Sequence, residues 1–228
     1  MISLERDYHS HLMPGVDDGS RGAAETVGMA HGLSELGIAS VCLTPHQFRF
    51  GNDLAAEEIQ QGTERVRELL AGAGIPLQVV PGAEYLFGDR LLHAVGGGRE
   101  LITFCSGQED CILVELPTNL PVVGVARLAA ALLDRGVRPV MAHPERAVTF
   151  CGSPSRLKRW KEAGWWFQLN LPSLVGGYGP EPQALARFLL GRAWYELGGS
   201  DLHRPGDLSE LRHAHEAFDC VAPRGTMA

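Results

Sequence analysis

Short apolar runs typical of buried strands alternate along this chain with longer runs whose apolar residues recur every three or four positions. The strand-like runs after the N-terminal segment are IASVCLT (38–44), LQVVPGAE (77–84), CILVEL (111–116), RPVMAH (138–143), WFQLN (166–170) and WYELGGSD (194–201). Regular alternation of strands with helices indicates parallel strands. The pattern therefore predicts an α/β layered or barrel fold.

The helical runs between the strands carry recognisable start and stop signals. In 121–136 the apolar residues fall on one face, and Gly136 ends the run. The run 153–164 opens with Ser153 as a candidate N-cap, and Asp207 with Glu210 resembles a capping box for a last helix. No linker or repeat interrupts the chain, so we expect one domain over residues 1–228 with a tail that frays after about residue 219.

Charge and cysteine content narrow the classes of function. With 20 Lys and Arg residues against 27 Asp and Glu, the formal net charge is −7. An acidic chain disfavours nucleic-acid binding, which depends on neutralising phosphates. We also find no basic, apolar leader and no apolar run of about 18 residues. We therefore expect a cytoplasmic protein without membrane insertion, whose five cysteines are reduced thiols.

Ligand-type side chains collect at one edge of the predicted sheet. They stand at or near the carboxyl end of nearly every strand-like run, and they are His9, His11, His46, Glu84, Glu115, His143, Asp201 and His203. In α/β barrels and open α/β sheets, active sites are built at this edge. A lone His-x-His or Asp-x-His pair is a weak signal, but convergence at one edge predicts a metal site. Imidazole and carboxylate together suit zinc, manganese or iron.

Seven stretches of the chain resemble, in order, the motifs of one enzyme family. They are DYHSHLMPGVDDGS (7–20), LTPH (43–46), PGAEY (81–85), LVELP (113–117), MAHPER (141–146), FQLNLPSLVGGYG (167–179) and GSDLH (199–203). The chain resembles the polymerase-and-histidinol-phosphatase (PHP) metallohydrolases. More narrowly, it is similar to the bacterial PHP-type protein-tyrosine phosphatases that act with capsule and exopolysaccharide tyrosine kinases. The resemblance implies an α/β fold, a distorted seven-stranded (β/α)7 barrel with its metal site at the C-terminal ends of the strands.

The resemblance also implies three divalent metal ions per chain, of manganese, iron or zinc. The implied ligands are His9, His11 and Asp201 for the first metal, Glu115 and His143 for the second, Asp18, His46 and His203 for the third, and Glu84 bridging the first two. Asp17 is expected to orient the turn that delivers Asp18. The implied reaction is hydrolysis of a phosphomonoester, in which a water or hydroxide shared by two metals attacks phosphorus.

Two arginines are candidate catalytic residues. Arg146 aligns with a family arginine that contacts phosphate, whereas Arg204 matches a family arginine only with an offset. Gln47 stands where the family often has a second histidine. Aromatic residues are expected near the mouth of the site, where they would pack either the phenyl ring of phosphotyrosine or the core. They are Phe48, Phe50, Tyr85, Phe87, Trp165, Trp166 and Tyr178.

Several alternatives stay open. A cysteine nucleophile of the kind used by other tyrosine phosphatases is excluded, because no cysteine is followed six positions later by arginine. A histidinol-phosphatase-like enzyme acting on a small ester is the nearest rival. A non-catalytic, metal-binding regulatory protein is a rival of another class, and a nuclease is a weaker one. The expected partner is a phosphotyrosine protein, such as a bacterial autophosphorylating tyrosine kinase, and not a nucleic acid.

Overall fold

Parallel strands and helices alternate through the computed structural model, which describes residues 2–49, 51–117, 123–147 and 154–221. The strands are β1 (Arg6–Ser10), β2 (Ser40–Leu43), β3 (His46–Gln47), β4 (Gln78–Pro81), β5 (Glu84–Leu86), β6 (Phe104–Ser106), β7 (Glu109–Glu115), β8 (Val137–Ala142), β9 (Trp166–Asn170) and β10 (Leu197–Gly199). The helices are α1 (Ala23–Glu35), α2 (Ala56–Gly72), α3 (Asp89–Gly96), α4 (Val125–Leu133), α5 (Pro154–Glu162), α6 (Pro180–Gly191) and α7 (Leu208–Val221). The six strand-like runs of the sequence are all confirmed as strands.

The strands form a barrel of seven positions. One sheet has the order β1-β2-β4, the other has the order β10-β9-β8-β7-β5-β3, and β6 adds to β7 as an antiparallel strand. Because β3 follows β2 and β5 follows β4 after two-residue breaks, each pair occupies one position. The circle is completed between β10 and β1, where the His11 N–H donates to Leu202 O at 3.0 Å and the Asp201 N–H to His9 O at 2.8 Å. The predicted (β/α)7 barrel is confirmed.

Side chains alternate between the interior of the barrel and its helix-covered outside, as the period of a strand requires. On β7, Ile112 and Val114 pack in the large core under the helices, whereas Cys111 and Leu113 belong to a small cluster of their own. Glu115 follows Cys111 and Leu113 at the same two-residue step, so it shares their face. This register brings a buried carboxylate to the carboxyl end of the barrel.

One helix-capping interaction that the sequence predicted is absent among the described residues. The capping box expected at Asp207 and Glu210 is wrong, because the Asp207 carboxylate accepts the backbone N–H of Arg204, and its own N–H donates to Arg204 O. The expected N-cap Ser153 lies outside the described residues. Helix α7 continues to Val221, and the tail beyond it (222–228) lies outside them as well. Among the described helices, none has the length and apolar character needed to cross a membrane.

Candidate metal centre

The structure brings the predicted ligand residues together at the carboxyl edge of the barrel. Among the residues that the structure describes, four groups of three or more have ligand atoms within 4.8 Å of one another. The groups are His11, Asp18, His46 and His203; His9, His11 and Glu84; His9, His143 and Asp201; and His46, Glu84 and Glu115. All nine predicted ligands occur in these groups. Their neighbours differ in part from the grouping that the resemblance implies, since His143 lies with His9 and Asp201, and Glu115 lies with His46.

Glu84 occupies the middle of the centre. Its Oε2 lies 2.8 Å from His46 Nδ1, 3.3 Å from His9 Nε2 and 3.6 Å from His11 Nε2, and its Oε1 lies 3.2 Å from His143 Nε2. The side chain is buried, and no group other than these imidazoles is seen to pair with its Oε2 atom among the described residues. A buried carboxylate oxygen costs free energy unless it is hydrogen-bonded or binds a cation. Its surroundings therefore fit a bound metal ion.

Asp201 follows β10, the strand next to β1, and it contacts two of the same histidines, His9 and His11. Its Oδ1 lies 3.2 Å from His9 Nε2, 3.4 Å from His11 Nε2 and 3.6 Å from His203 Nδ1. The backbone of Asp201 has a φ of 53°, and that of His143 a φ of 31°. Non-glycine residues in the left-handed region are strained, and such strain concentrates at functional sites.

The third part of the centre is open to solvent. Asp18 Oδ1 lies 3.2 Å from His46 Nε2 and 3.5 Å from His203 Nε2, and the Asp18 side chain is 47% exposed. Asp18 comes from the turn between β1 and α1. That turn passes very close to β1, because a Cβ atom added at Gly19 would lie 2.2 Å from His11 O. Only glycine fits there without a shift of the backbone.

Charges in the centre stabilise one another. Burial alone lowers the pKa of His9, but Glu84 and Asp201 outweigh it and raise the pKa to about 9. Burial raises the pKa of Glu84 and of Asp201, yet the neighbouring histidines hold both well below their ordinary values. Ionised carboxylates among imidazoles are a donor set for zinc, manganese or iron.

Residues behind the ligands orient them, and sequence reasoning found only one of these. Asp17 accepts hydrogen bonds from His11 Nδ1 at 2.8 Å and from the His46 N–H at 3.0 Å, so it orients two ligands as well as the turn. Gln168 Oε1 lies 3.0 Å from His9 Nδ1, and Asn170 Nδ2 donates to Asp201 Oδ2 at 3.0 Å. Gln168 and Asn170 stand two positions apart on β9, and this spacing was the available signal.

The two candidate arginines have different surroundings. Arg146 donates to Asp201 Oδ2, and its guanidinium lies 4.1 Å from the centre of the Tyr178 ring. Arg204 donates to Gly19 O and lies 3.7 Å from Glu25, so it fastens the β1–α1 turn. A third arginine was missed by sequence reasoning. Arg49 donates to Glu115 Oε2.

Of the two roles left open for the aromatic residues, packing in the core is confirmed for most of those that the structure describes. Phe48, Tyr85, Phe87 and Trp165 are buried in the core, Trp166 begins β9 at the opposite end of the barrel, and Phe50 lies outside the described residues. Tyr178 alone of the described set stands at the mouth, 39% exposed. It lines a cavity of about 280 Å³ together with Arg146, Asp201, His203 and Glu210.

Gln47 and two of the cysteines have structural surroundings. Gln47 is buried, its Nε2 donates to His46 O, and its Oε1 accepts the Leu54 N–H at 2.9 Å. Cys42 and Cys111 are buried, and burial raises the pKa of Cys111 to about 12. A thiol with such a pKa is not a nucleophile at neutral pH.

Comparison with known proteins identifies the family. A family model described as capsular polysaccharide synthesis, CpsB/CapC, matches residues 6–219. The chain belongs to the CpsB/CapC family. One CpsB/CapC relative, tyrosine-protein phosphatase YwqE of Bacillus subtilis, is 29% identical over 200 residues, which are 86% of this chain and 76% of YwqE. Tyrosine-protein phosphatase CpsB of Streptococcus pneumoniae is 23% identical over 223 residues, which are 96% of this chain and 90% of CpsB.

Solved structures place this CpsB/CapC chain among PHP-type folds, as the sequence motifs predicted. A structure from a study of YwqE and CpsB as unique metal-dependent tyrosine phosphatases matches with a TM-score of 0.82 at 27% identity, covering 94% of this chain and 85% of that one. A histidinol phosphate phosphatase of Lactococcus lactis, complexed with zinc, L-histidinol and phosphate, matches with a TM-score of 0.56 at 14% identity, covering 93% of each chain. At that identity the second match supports the fold alone.

Proposed function

We propose that this CpsB/CapC chain is a metal-dependent phosphomonoesterase that hydrolyses phosphotyrosine in proteins. The names of its relatives and the metal dependence ascribed to the matching solved structure support this activity. The observation of this chain that carries the proposal is the buried Glu84 Oε2 atom, which lies within 3.6 Å of a ring nitrogen from each of three histidines. Such an oxygen is suited to a cation shared with those histidines.

The nine ligand-type side chains would hold the metal ions, three per chain in our proposal. Manganese, iron or zinc would satisfy this mixture of imidazole and carboxylate. When bound, such ions supply a nucleophile at neutral pH and neutralise charge on the phosphoryl group. Asp17 and Gln168 hold His11 and His9 in the orientation that this binding requires.

Arg146 is proposed to bind and orient the phosphoryl group. Burial lowers the pKa of its guanidinium, but Asp201 outweighs burial and raises it, so the group stays charged. The side chain is 27% exposed and lines the cavity at the mouth, where its planar fork of donors can reach phosphoryl oxygens. The exposed ring of Tyr178 beneath it offers a face on which a phenyl ring can pack. Arg204 fastens the turn that carries Asp18, and we propose for it a positioning role.

The family description points to the cellular partner. Because the matching family model is one of capsular polysaccharide synthesis, we propose that the substrate is a phosphotyrosine protein of that process, such as an autophosphorylating tyrosine kinase of exopolysaccharide synthesis. The enzyme would meet that substrate in the cytoplasm. The net charge of −7 supports a protein partner over a nucleic acid.

A comparison of substrates tests the proposal. The manganese-loaded protein is assayed with a phosphotyrosine peptide, the matched phosphoserine peptide and histidinol phosphate, and kcat/KM is measured for each. We expect the phosphotyrosine peptide to be the best of the three. A strong preference for histidinol phosphate would assign the chain to the small-molecule phosphatases of the same fold.

The same assay addresses the non-catalytic alternative. A regulatory metal-binding protein would take up manganese but release no phosphate from any aryl phosphate. We expect turnover that is lost on chelation and restored by manganese. Alkylation of the exposed Cys105 should leave turnover intact, because the described cysteines lie outside the candidate ligand groups.

A further inference from the structure

Arg49 is a second guanidinium at the metal centre and resembles Arg146 in its setting. Arg49 donates to Glu115 and Arg146 donates to Asp201, and both carboxylates are candidate ligands. The two arginine side chains are 31% and 27% exposed, whereas the side chains of Glu115 and Asp201 are 7% and 3% exposed. Each arginine therefore extends from a buried carboxylate toward solvent.

A strained turn fixes the position of Arg49. Phe48 has a φ of 64°, and its N–H donates to Asn52 O at 2.8 Å, while the Asn52 N–H donates to Arg49 O at 2.8 Å. The Asn52 side chain donates to Val16 O at 2.9 Å, which ties the turn to the segment that carries Asp17 and Asp18. A bulky residue in the left-handed region is strained and persists only where surrounding contacts impose it.

Two neighbouring arginines show that this pairing is particular to Arg49. Arg90 and Arg99 lie 5.1 and 5.4 Å from the ring centre of the same Phe48. Both form ion pairs with Asp53 instead, with guanidinium-to-carboxylate distances of 2.8 and 2.7 Å. Asp53 is not one of the candidate metal ligands. Of these three arginines, Arg49 alone contacts a carboxylate of the centre.

We propose that Arg49 binds the phosphoryl group of the substrate; this inference rests on the proposed function. A Glu115 oxygen that binds a metal ion has less negative charge to share with Arg49. The guanidinium belongs to a residue three positions after His46, and the Arg49 side chain is 31% exposed beside the centre. Its charged fork suits phosphoryl oxygens in the same way as that of Arg146. The competing role is that of a counter-ion, in which Arg49 only neutralises Glu115 in the metal-free protein.

The test compares Arg49→Gln with the matched control Arg90→Gln. Both proteins are loaded with manganese, the metal content is measured, and the binding of inorganic phosphate is followed by isothermal titration calorimetry. We expect Arg49→Gln to weaken phosphate binding by about 10- to 100-fold, as for the loss of a hydrogen bond to a charged group. KM for a phosphotyrosine peptide should rise, and metal content should match the wild type. Arg90→Gln should bind phosphate like the wild type.

Arg49→Lys keeps the test decisive if the glutamine variant does not fold. Lysine retains the charge beside Glu115 but not the fork, so we expect weakened phosphate binding at unchanged metal content. Wild-type phosphate affinity in a folded Arg49 variant would overturn the inference, as would a wild-type protein that binds manganese but no phosphate. A wild type that binds phosphate through Arg49 yet hydrolyses no phosphotyrosine peptide would support the inference and refute the proposed function.

Discussion

At the scale of single residues, Asp17 shows how one carboxylate positions two ligands. It accepts hydrogen bonds from the ring of His11, the backbone of His46 and the backbone of Gly19. Burial raises its pKa, but the contacts with His11 outweigh burial and hold the pKa below its ordinary value. Asp17 therefore stays ionised and keeps one nitrogen of His11 bonded, which leaves the other directed at the centre.

Asp17→Asn should weaken manganese binding by about 10- to 100-fold, the usual effect of losing a partner that orients a metal ligand. The amide nearly keeps the shape of the side chain but removes its charge. The matched control is Asp134→Asn, an exposed aspartate directly after α4. Manganese titration by calorimetry measures both variants. Equal affinities for the two variants would show that Asp17 serves only the turn.

At the scale of elements, the sequence predicted what depends on periodicity. The apolar runs and the N-terminal segment account for all seven positions of the barrel, though not for the exact extent of each strand. The sequence also placed Glu115 near the carboxyl end of a strand-like run, and the structure shows it on the face that Cys111 and Leu113 share. The contact of Arg49 with Glu115 could not be predicted in this way. It depends on a left-handed φ at Phe48, and phenylalanine rarely adopts that conformation. It also joins two side chains that are 66 positions apart in the sequence.

The sequence could not decide between the two roles of the aromatic residues, and it gave a wrong capping box, for the same physical reason. Both were inferred from residue type near a strand or helix end, whereas burial and hydrogen bonding depend on tertiary contacts. The rings of Phe48 and Tyr85 pack against each other in the core, with their centres 5.7 Å apart. The Asp207 carboxylate is used by Arg204 in the turn before α7.

The close approach of the β1–α1 turn to β1 can be tested by adding a Cβ atom at Gly19. Gly19→Ala should lower the free energy of unfolding by about 1–3 kcal/mol, because the added Cβ overlaps the backbone of His11. Gly22→Ala is the matched control in the same turn, since its φ of 175° is extended and no atom lies within 4 Å of an added Cβ. Urea unfolding of both variants measures the difference. A Gly19→Ala variant as stable as Gly22→Ala would contradict the geometry.

At the scale of the whole molecule, closure of the barrel assembles the centre. His9 and Asp201 are far apart in sequence but meet because β1 and β10 are neighbours around the barrel. Histidines and carboxylates then share one buried region, and the pKa of His9 rises to about 9. In the metal-free protein, protonated His9 stabilises the fold fully below its ordinary pKa of 6.5, and this contribution is lost as the pH rises through about 9.

Metal binding should therefore release protons at pH 7. A histidine binds a metal only when neutral, so apparent manganese affinity should rise with pH until about pH 9, as His9 loses its proton. Calorimetric titration at pH 7 in two buffers of different ionisation enthalpy measures the number of protons released. Identical observed enthalpies in the two buffers would mean that no proton leaves and that His9 is neutral before the metal arrives.

The central claim is that nine side chains, spread along the sequence from His9 to His203, bind metal ions together at one edge of the barrel. An anomalous-difference map from crystals of the manganese-loaded protein, recorded at the manganese absorption edge, tests it most directly. We predict three peaks at the carboxyl edge of the barrel, with Glu84 in contact with two of them. A map with no peaks between these side chains, or with manganese bound elsewhere on the chain, would contradict the account.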